Sequence, residues 1–382
     1  MLSSFDYQPR TRIVFGCGSL SRLGELAVAE GAQKILLVSD PGIVRAGHVR
    51  RAVESCEQVG TKVFVFDEVE ENPTEQHVNA GLTVARREEV DFFIGVGGGS
   101  AMDCAKGINF VYSCGGEIKD YWGVGKATGP LHPMIAVPTT AGTGSETQSF
   151  ALICDAVTHQ KMACGDPRGA CRVALLDPEL TVSQPPAVTA ATGTDAIVHA
   201  VETFVTRPRN PLSVTFSREA WKLLISSFET VLADPENVEA RGRMLLGSSY
   251  AGIAIENSML GATHSAANPL TAEFGVVHGV AVGILLPHVV RLNASVVGSS
   301  YDELAKLAGL SVGGRENFGE PLAGYLEKIF AKSGLPRNLA MCGVTEEFIP
   351  KLAEGATSQW TAQFNPRELN QQDFEMLYRG AL

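Results

Sequence analysis

The chain has 382 residues, 45% of them hydrophobic, with 40 glycines and a formal net charge of −11. Such a length builds two, or at most three, domains with large cores, and the composition excludes fibrous and disordered classes. An acidic balance without any Lys/Arg run excludes a nucleic-acid surface, because phosphate binding wants clustered cations.

The eight cysteines (positions 17, 56, 104, 114, 154, 164, 171 and 342) are scattered and contain no C-x-x-C pair. They offer neither a zinc-finger spacing nor a small-domain disulfide framework, so free thiols in a reducing cytoplasm are expected. The opening Met1-Leu-Ser-Ser-Phe-Asp-Tyr-Gln-Pro-Arg10 lacks a charged start followed by an apolar core, and no signal peptide is expected. The most hydrophobic run, Val276 to Val290, is interrupted by His278 and His288 and is too short for a bilayer, so no membrane partner is expected.

In the first half, short β-rich runs alternate with helical stretches. Strands are predicted at Lys34–Asp40, Lys62–Asp67, Asp91–Val96, Met134–Pro138 and Val173–Asp177. Helices are predicted over 43–57, 74–88 and 100–112. This alternation predicts an α/β dinucleotide-binding domain, a parallel sheet with helices on both faces. Strand signals fade after Gln184-Pro185-Pro186, where helical segments begin at about 188–205, 213–232, 238–262, 279–292, 301–309 and 319–333. The expected division is an α/β domain over 1–184 and an all-α domain over 185–382.

Gly95-Val-Gly97-Gly98-Gly99-Ser100 follows a buried strand and opens a helix. Glycines let backbone approach a ligand, and a helix N-terminus presents free amides, so a phosphate or pyrophosphate is implied. The spacing is not G-x-G-x-x-G, and a bare turn is the plain alternative. Pro138-Thr139-Thr140-Ala-Gly-Thr143-Gly-Ser145-Glu146 ends another strand and belongs on the same carboxyl edge of the sheet. Asp40 ends the first clear strand. An acid there accepts hydrogen bonds from a ribose and repels a 2′-phosphate, which favours NAD over NADP, although an acid before Pro41-Gly42 also serves as a turn or cap.

The second half carries Asp195-Ala-Ile-Val-His199, then His264 and His278. Residues four apart on a helix share a face, with Cβ atoms roughly 5–6 Å apart. One carboxylate with three neutral imidazoles makes a mixed O/N shell suited to Fe²⁺, Zn²⁺, Co²⁺ or Mn²⁺. Taken singly, each histidine also reads as an ordinary core or cap residue.

Gly97-Gly98-Gly99-Ser100-x-x-Asp103-x-x-Lys106, the Pro138–Glu146 loop, Asp177-Pro178-Glu179-Leu180, Asp195-x-x-x-His199 and His278-Gly279 with Leu286-Pro287-His288 together resemble the iron-containing (group III) alcohol dehydrogenases. The likeness runs from Pro9 nearly to the C-terminus. It implies NAD(P)-dependent interconversion of small alcohols with aldehydes or ketones, in the cleft between a dinucleotide domain and a helical metal domain. It also implies a divalent metal, iron first and zinc second, on Asp195, His199, His264 and His278. For the cofactor it implies Gly97, Gly98, Gly99 and Ser100 at the pyrophosphate, with Asp103 and Ser145 in the same motifs. Thr139, Thr140 and Thr143 would touch the cofactor, Asp40 and Asn72 would lie at the adenosine ribose, and Lys161, Pro178 and Leu180 along the nicotinamide half.

Two positions depart from the family pattern. Asn268 stands where a second histidine is usual, four residues after His264, and an amide cannot relay a proton near neutral pH. Ile255-Glu256-Asn257 replaces a Phe-Ser-Asn-like sequence on the presumed substrate side. Phe150 and Phe274 are candidate apolar substrate walls, and His288 reads as structural. A homodimer or higher oligomer through an N-terminal edge strand is expected. Other outcomes of the same plan are a zinc polyol dehydrogenase, a dehydroquinate synthase-like lyase, which would want a basic pocket not evident here, and a silent metal-binding scaffold.

Overall fold

The computed structural model describes residues 4–312 and 318–382. These divide into two compact units, one of Gln8–Gln184 and one of Pro185–Leu382 with the residues before Gln8. Unit by unit, the elements follow from burial pattern and punctuation.

The Gln8–Gln184 unit contains β1 (Arg12–Phe15), α1 (Leu23–Ala29), β2 (Lys34–Val38), α2 (Pro41–Arg45), α3 (His48–Glu57), β3 (Lys62–Phe66), α4 (Glu75–Glu88), β4 (Phe92–Gly97) and α5 (Gly99–Cys114). After these come β5 (Gly123–Val124), β6 (Met134–Pro138), β7 (Phe150–Cys154), β8 (Lys161–Gly165) and β9 (Val173–Leu176). Six strands form one parallel sheet in the order β1-β9-β6-β4-β2-β3. The strands are apolar on both faces because helices cover both. Leu36, Val38 and Phe93 pack with Val78 and Leu82 of α4 and Ile108 of α5. Ile35, Leu37, Phe92 and Ile94 face the other way, onto Leu23 and Leu26 of α1 and Val49 and Ala52 of α3. A second sheet, β5-β8-β7, joins the antiparallel β7–β8 pair to β5.

The chain order contains a switch. From β2 the chain passes to β3 on one side, then crosses back to β4 on the other. At such a point the loops leaving two neighbouring parallel strands diverge and open a crevice at their carboxyl ends. Asp40 follows β2 and the glycines follow β4.

The second unit is helical: α6 (Pro186–Val205), α7 (Pro211–Ile225), α8 (Phe228–Ala233), α9 (Val238–Glu256), α10 (Ala262–Phe274), α11 (His278–Leu307), α12 (Glu320–Ala331), α13 (Ile349–Ser358) and α14 (Gln371–Ala381). α6 is buried almost throughout and packs on α7, α9 and α11. α11 is long and apolar enough to cross a membrane, yet most of that apolar stretch is buried against α6, α10 and α12. Polar ends of large side chains tie helices together: Trp221 Nε1 donates to the Leu304 carbonyl at 3.0 Å, and Tyr378 Oη to that of Ala266 at 2.7 Å.

Several predicted boundaries move. The single helix expected over 43–57 is two, α2 and α3, because Gly47 adopts a φ of 81° between them. The segment expected over 238–262 stops at Glu256, and α10 starts afresh after Gly261. The 213–232 segment breaks between α7 and α8, while the two expected over 279–292 and 301–309 run together as α11 across a kink at Val297.

Candidate functional site

α6 presents Asp195, His199 and Glu202 at i, i+4 and i+7, one face of the helix. α10 contributes His264 from its first turn, and His278 is the first residue of α11. Asp195, His199 and His264 bring one potential ligand atom each within 4.8 Å of one another. Around Asp195 Oδ1, His199 Nε2 lies at 3.3 Å, His264 Nε2 at 3.5 Å and His278 Nε2 at 3.7 Å. Four ligands at tetrahedral corners with bonds of about 2.1 Å would be about 3.4 Å apart. The cluster therefore has the spacing of a metal shell. Among the described residues, Asp195 Oδ1 and His264 Nε2 are buried atoms without a hydrogen-bond partner, as atoms reserved for a cation would be. The first three side chains are buried, while that of His278 is 23% exposed, so the cluster is open on the His278 side.

Glu202, which the sequence reading did not single out, completes the arrangement. Its carboxylate accepts from His264 Nδ1 at 2.7 Å, Gly261 N at 3.0 Å and Thr263 N at 2.7 Å. Those amides belong to the start of α10, where helix polarity also favours an anion. With Nδ1–H donated to Glu202, the lone pair of His264 is on Nε2, turned to Asp195. The signal was present in the sequence as the third member of the Asp195, His199 stripe.

Electrostatics follow from this packing. Burial alone would raise the Asp195 carboxyl, but the imidazoles of His199, His264 and His278 outweigh it and hold Asp195 below the usual carboxylate range. Burial would likewise raise Glu202, and its bonds to His264, Gly261 and Thr263 lower it instead. For His264, burial lowers the pKa, and the close carboxylates of Asp195 and Glu202 overcome that and raise it to about 9. Near neutral pH a proton and a cation compete for its Nε2, so metal uptake releases a proton.

Asn268, one turn beyond His264, donates from Nδ2 to Gln359 Oε1 at 2.9 Å. Phe274 lies at the far end of α10 and packs edge-on against Phe348, with ring centroids 5.1 Å apart. Ten residues of helix, about 15 Å, separate it from His264. Phe274 is half-buried there, and Phe348 is 39% exposed. His288 lies on α11, partly buried, and burial lowers its pKa.

In the sheet unit, β4 and β6 are neighbours with Gly97 opposite Pro138, so the two loops leave the sheet side by side. Thr139 N donates to the Gly97 carbonyl at 2.9 Å. A Cβ on Gly98 would lie 3.5 Å from Thr140 Cγ2, and one on Gly99 would meet Thr143 Cγ2 at 2.7 Å. Thr143 thus walls a cradle that Gly99 leaves open, with Thr140 in ordinary contact distance beside Gly98. α5 starts at Gly99, with Gly98 as its N-cap and no side chain satisfying the first amides. Ser100 lies inside the first turn and makes no cap. Thr139 Oγ1 is buried without a partner. The loop fits an anion.

Asp40 does two things. Its Oδ1 caps α2, accepting from Gly42 N at 2.8 Å and Ile43 N at 3.1 Å, while Oδ2 lies 3.3 Å from where a Gly97 Cβ would be. Asn72 sits between β3 and α4 with a φ of 54°, and Lys161 opens β8. Asp103 and Ser145 are buried in a lock with Lys106. Ser145 Oγ donates to Asp103 Oδ1, and Lys106 Nζ donates to the carbonyls of Ser145 at 2.7 Å and Phe150 at 2.9 Å. They tie α5 to the second loop from beneath. Phe150 lies across Gly165 of β8. Pro178 and Leu180 occupy a short turn after β9, and the Leu180 side chain is fully buried in the sheet core.

The sequence profile described as iron-containing alcohol dehydrogenase matches residues 9–178, and that of the C-terminal domain of the Fe-containing alcohol dehydrogenase family matches 189–382. The chain belongs to the iron-containing alcohol dehydrogenase family. It is 35% identical to 1,3-propanediol dehydrogenase of Klebsiella pneumoniae over 99% of this chain and 98% of that one. It is 34% identical to the NAD-dependent methanol dehydrogenase of Bacillus methanolicus over 97% of each chain. The crystal structure of a 1,3-propanediol oxidoreductase superposes with a TM-score of 0.96 at 34% identity, covering 100% of both chains.

The Glu202 geometry yields a prediction for this family member. Glu202→Gln keeps shape but removes the charge that fixes His264, so metal affinity, measured by chelator competition, falls about 10- to 100-fold. Unchanged affinity would show that Glu202 serves only the start of α10.

Proposed function

We propose that this chain is a metal-dependent NAD(H) oxidoreductase that interconverts a small primary or secondary alcohol, diols included, with its aldehyde or ketone. The observation that carries the reading is the convergence of three imidazole nitrogens on one buried oxygen of Asp195. Asp195, His199, His264 and His278 would hold the ion, iron in the first instance and zinc in the second, since this O/N shell accepts both. A divalent ion held there would polarise the substrate oxygen as a Lewis acid, and bound NADH would supply hydride.

The chain's own residues set up that chemistry. Glu202 fixes the His264 ring. Gly97, Gly98, Gly99 and Ser100 would take the pyrophosphate on the backbone amides of α5, with Thr139, Thr140 and Thr143 around it. Asp40 Oδ2 and Asn72 would take the adenosine ribose, and Lys161, Pro178 and Leu180, the last through its backbone, would lie along the nicotinamide half. Asp103 and Ser145 act in this reading by holding the two loops together. Asn268 stays neutral at all working pH values and, fixed by Gln359, orients without moving a proton. The eight free thiols favour a reducing cytoplasm. β1 is an edge of the sheet with Phe15 47% exposed, which favours pairing with a second copy.

Purified protein assayed with NADH and a panel of short aldehydes, hydroxyaldehydes among them, is expected to lose roughly 100-fold or more activity on metal removal. Fe²⁺ or Zn²⁺ should restore it. Full activity in a sample verified as metal-free would refute the metal role. Asp40→Ser keeps the α2 cap but removes the charge, and should raise the NADP/NAD preference at least about tenfold. An unchanged ratio would remove Asp40 from the ribose site.

A further inference from the structure

The helical unit contains a cavity of about 290 Å³ that is separate from the Asp195–His264 cluster. It lies where α6, α11, α12 and the segment after α12 meet. Its body is apolar, built from Val280, Ile284, Pro287, Phe330, Leu335 and Pro336. A glycine opens it: a Cβ on Gly283 would collide with Thr194 Cγ2 at 2.6 Å and lie 3.9 Å from Phe330 Cδ2. Thr194 is 1% exposed and lines the cavity, its methyl Cγ2 being the atom that faces Gly283.

The charged groups around the rim are unequal. Glu327 is the acid on the wall, and Arg291 Nη1 donates to it at 2.6 Å while its Nε and Nη2 hold Glu320, so Arg291 is fully engaged and Arg337 alone is left to meet a new anion. Arg337 is exposed, and among the described residues only its backbone nitrogen has a partner, Met341 Sδ at 3.5 Å. His288 also lines the cavity, and its imidazole carries a ring N–H in either protonation state. An apolar body, a free guanidinium and an imidazole N–H complement one kind of occupant.

We infer that this cavity binds a small amphipathic monocarboxylate, its carboxylate at Arg337 and its apolar body between Ile284 and Phe330. At about 30 Å³ per non-hydrogen atom, the space takes on the order of ten such atoms, the size of a medium-chain or simple aromatic acid. Thr194 precedes Asp195 in the chain and Gly279 follows His278, so the occupant packs directly behind two residues of the metal cluster. The site stands whether or not the cluster holds a metal.

The test is calorimetric titration of the holoenzyme with hexanoate, hexanamide and acetate, repeated with Arg337→Gln, an exposed position whose change leaves the core intact. Hexanoate should bind with a stoichiometry of one per chain, at least about tenfold tighter than hexanamide or acetate, and Arg337→Gln should weaken it about tenfold. Absence of saturable hexanoate binding would overturn the inference. So would equal binding of acid and amide, or of hexanoate and acetate. Binding insensitive to Arg337→Gln, as a carboxylate on the metal would be, also overturns it.

Discussion

Two carboxylates buried on one face of α6 impose the constraint on which the rest of the helical unit depends. Asp195 and Glu202 are 5% and 3% exposed, and both are held below the usual carboxylate range although burial pushes them up. Two negative charges in an apolar interior need compensation, because an unpaired buried charge costs several kcal/mol. Glu202 finds part of it in the amides that open α10. The remainder falls on the imidazoles. A protonated His264 supplies one positive charge, whereas a divalent ion would neutralise both carboxylates at once and satisfy the orphaned Asp195 Oδ1 and His264 Nε2. The placement of α6, α10 and α11 follows from bringing those nitrogens to one oxygen.

In the proposed reading the sheet unit has a different problem, that of receiving an anion without a cluster of surface cations. Its answer is backbone: the uncapped start of α5, with glycines where a Cβ would strike Thr143. Glycine-rich loops lose conformational freedom on folding, and something must hold them. Here the buried Lys106 does so, bonded to the Ser145 and Phe150 carbonyls, while Asp103 takes the Ser145 hydroxyl and the Leu152 amide. Residues adjacent in the motif thus divide between facing a ligand and stabilising those that do.

Much of this was legible in the sequence, for reasons that can be named. Continuous apolar strands such as Ile35–Val38 mark a sheet covered on both sides, and that is how they lie. The Asp195, His199 spacing put both on one helical face, and long-range folding brought His264 and His278 to them. Breaks inside apolar runs were harder to read, since helices that periodicity alone would continue stop before Gly47 and at Asn257. α13 and α14 went unread because their apolar residues form narrow stripes in polar segments. The β7–β8 pair was missed because its strands mix exposed and buried positions, with Leu152 40% exposed. Phe274 and Leu180 carried no local mark distinguishing core from surface: the Leu180 side chain lies in the sheet core, while Phe274 is half-buried against Phe348. Glu202 was visible as a third stripe residue, but its meaning depends on Gly261 and Thr263, which lie about sixty positions away.

X-ray absorption spectroscopy of the purified protein tests the central claim most directly, because it reports the element and its ligands without relying on turnover. The account predicts one divalent first-row metal per chain, bound by nitrogen and oxygen at about 2.0–2.2 Å with multiple-scattering features of about three imidazoles. A shell containing sulfur from any of the eight cysteines, or a protein that binds no metal when Fe²⁺ and Zn²⁺ are supplied, would contradict it.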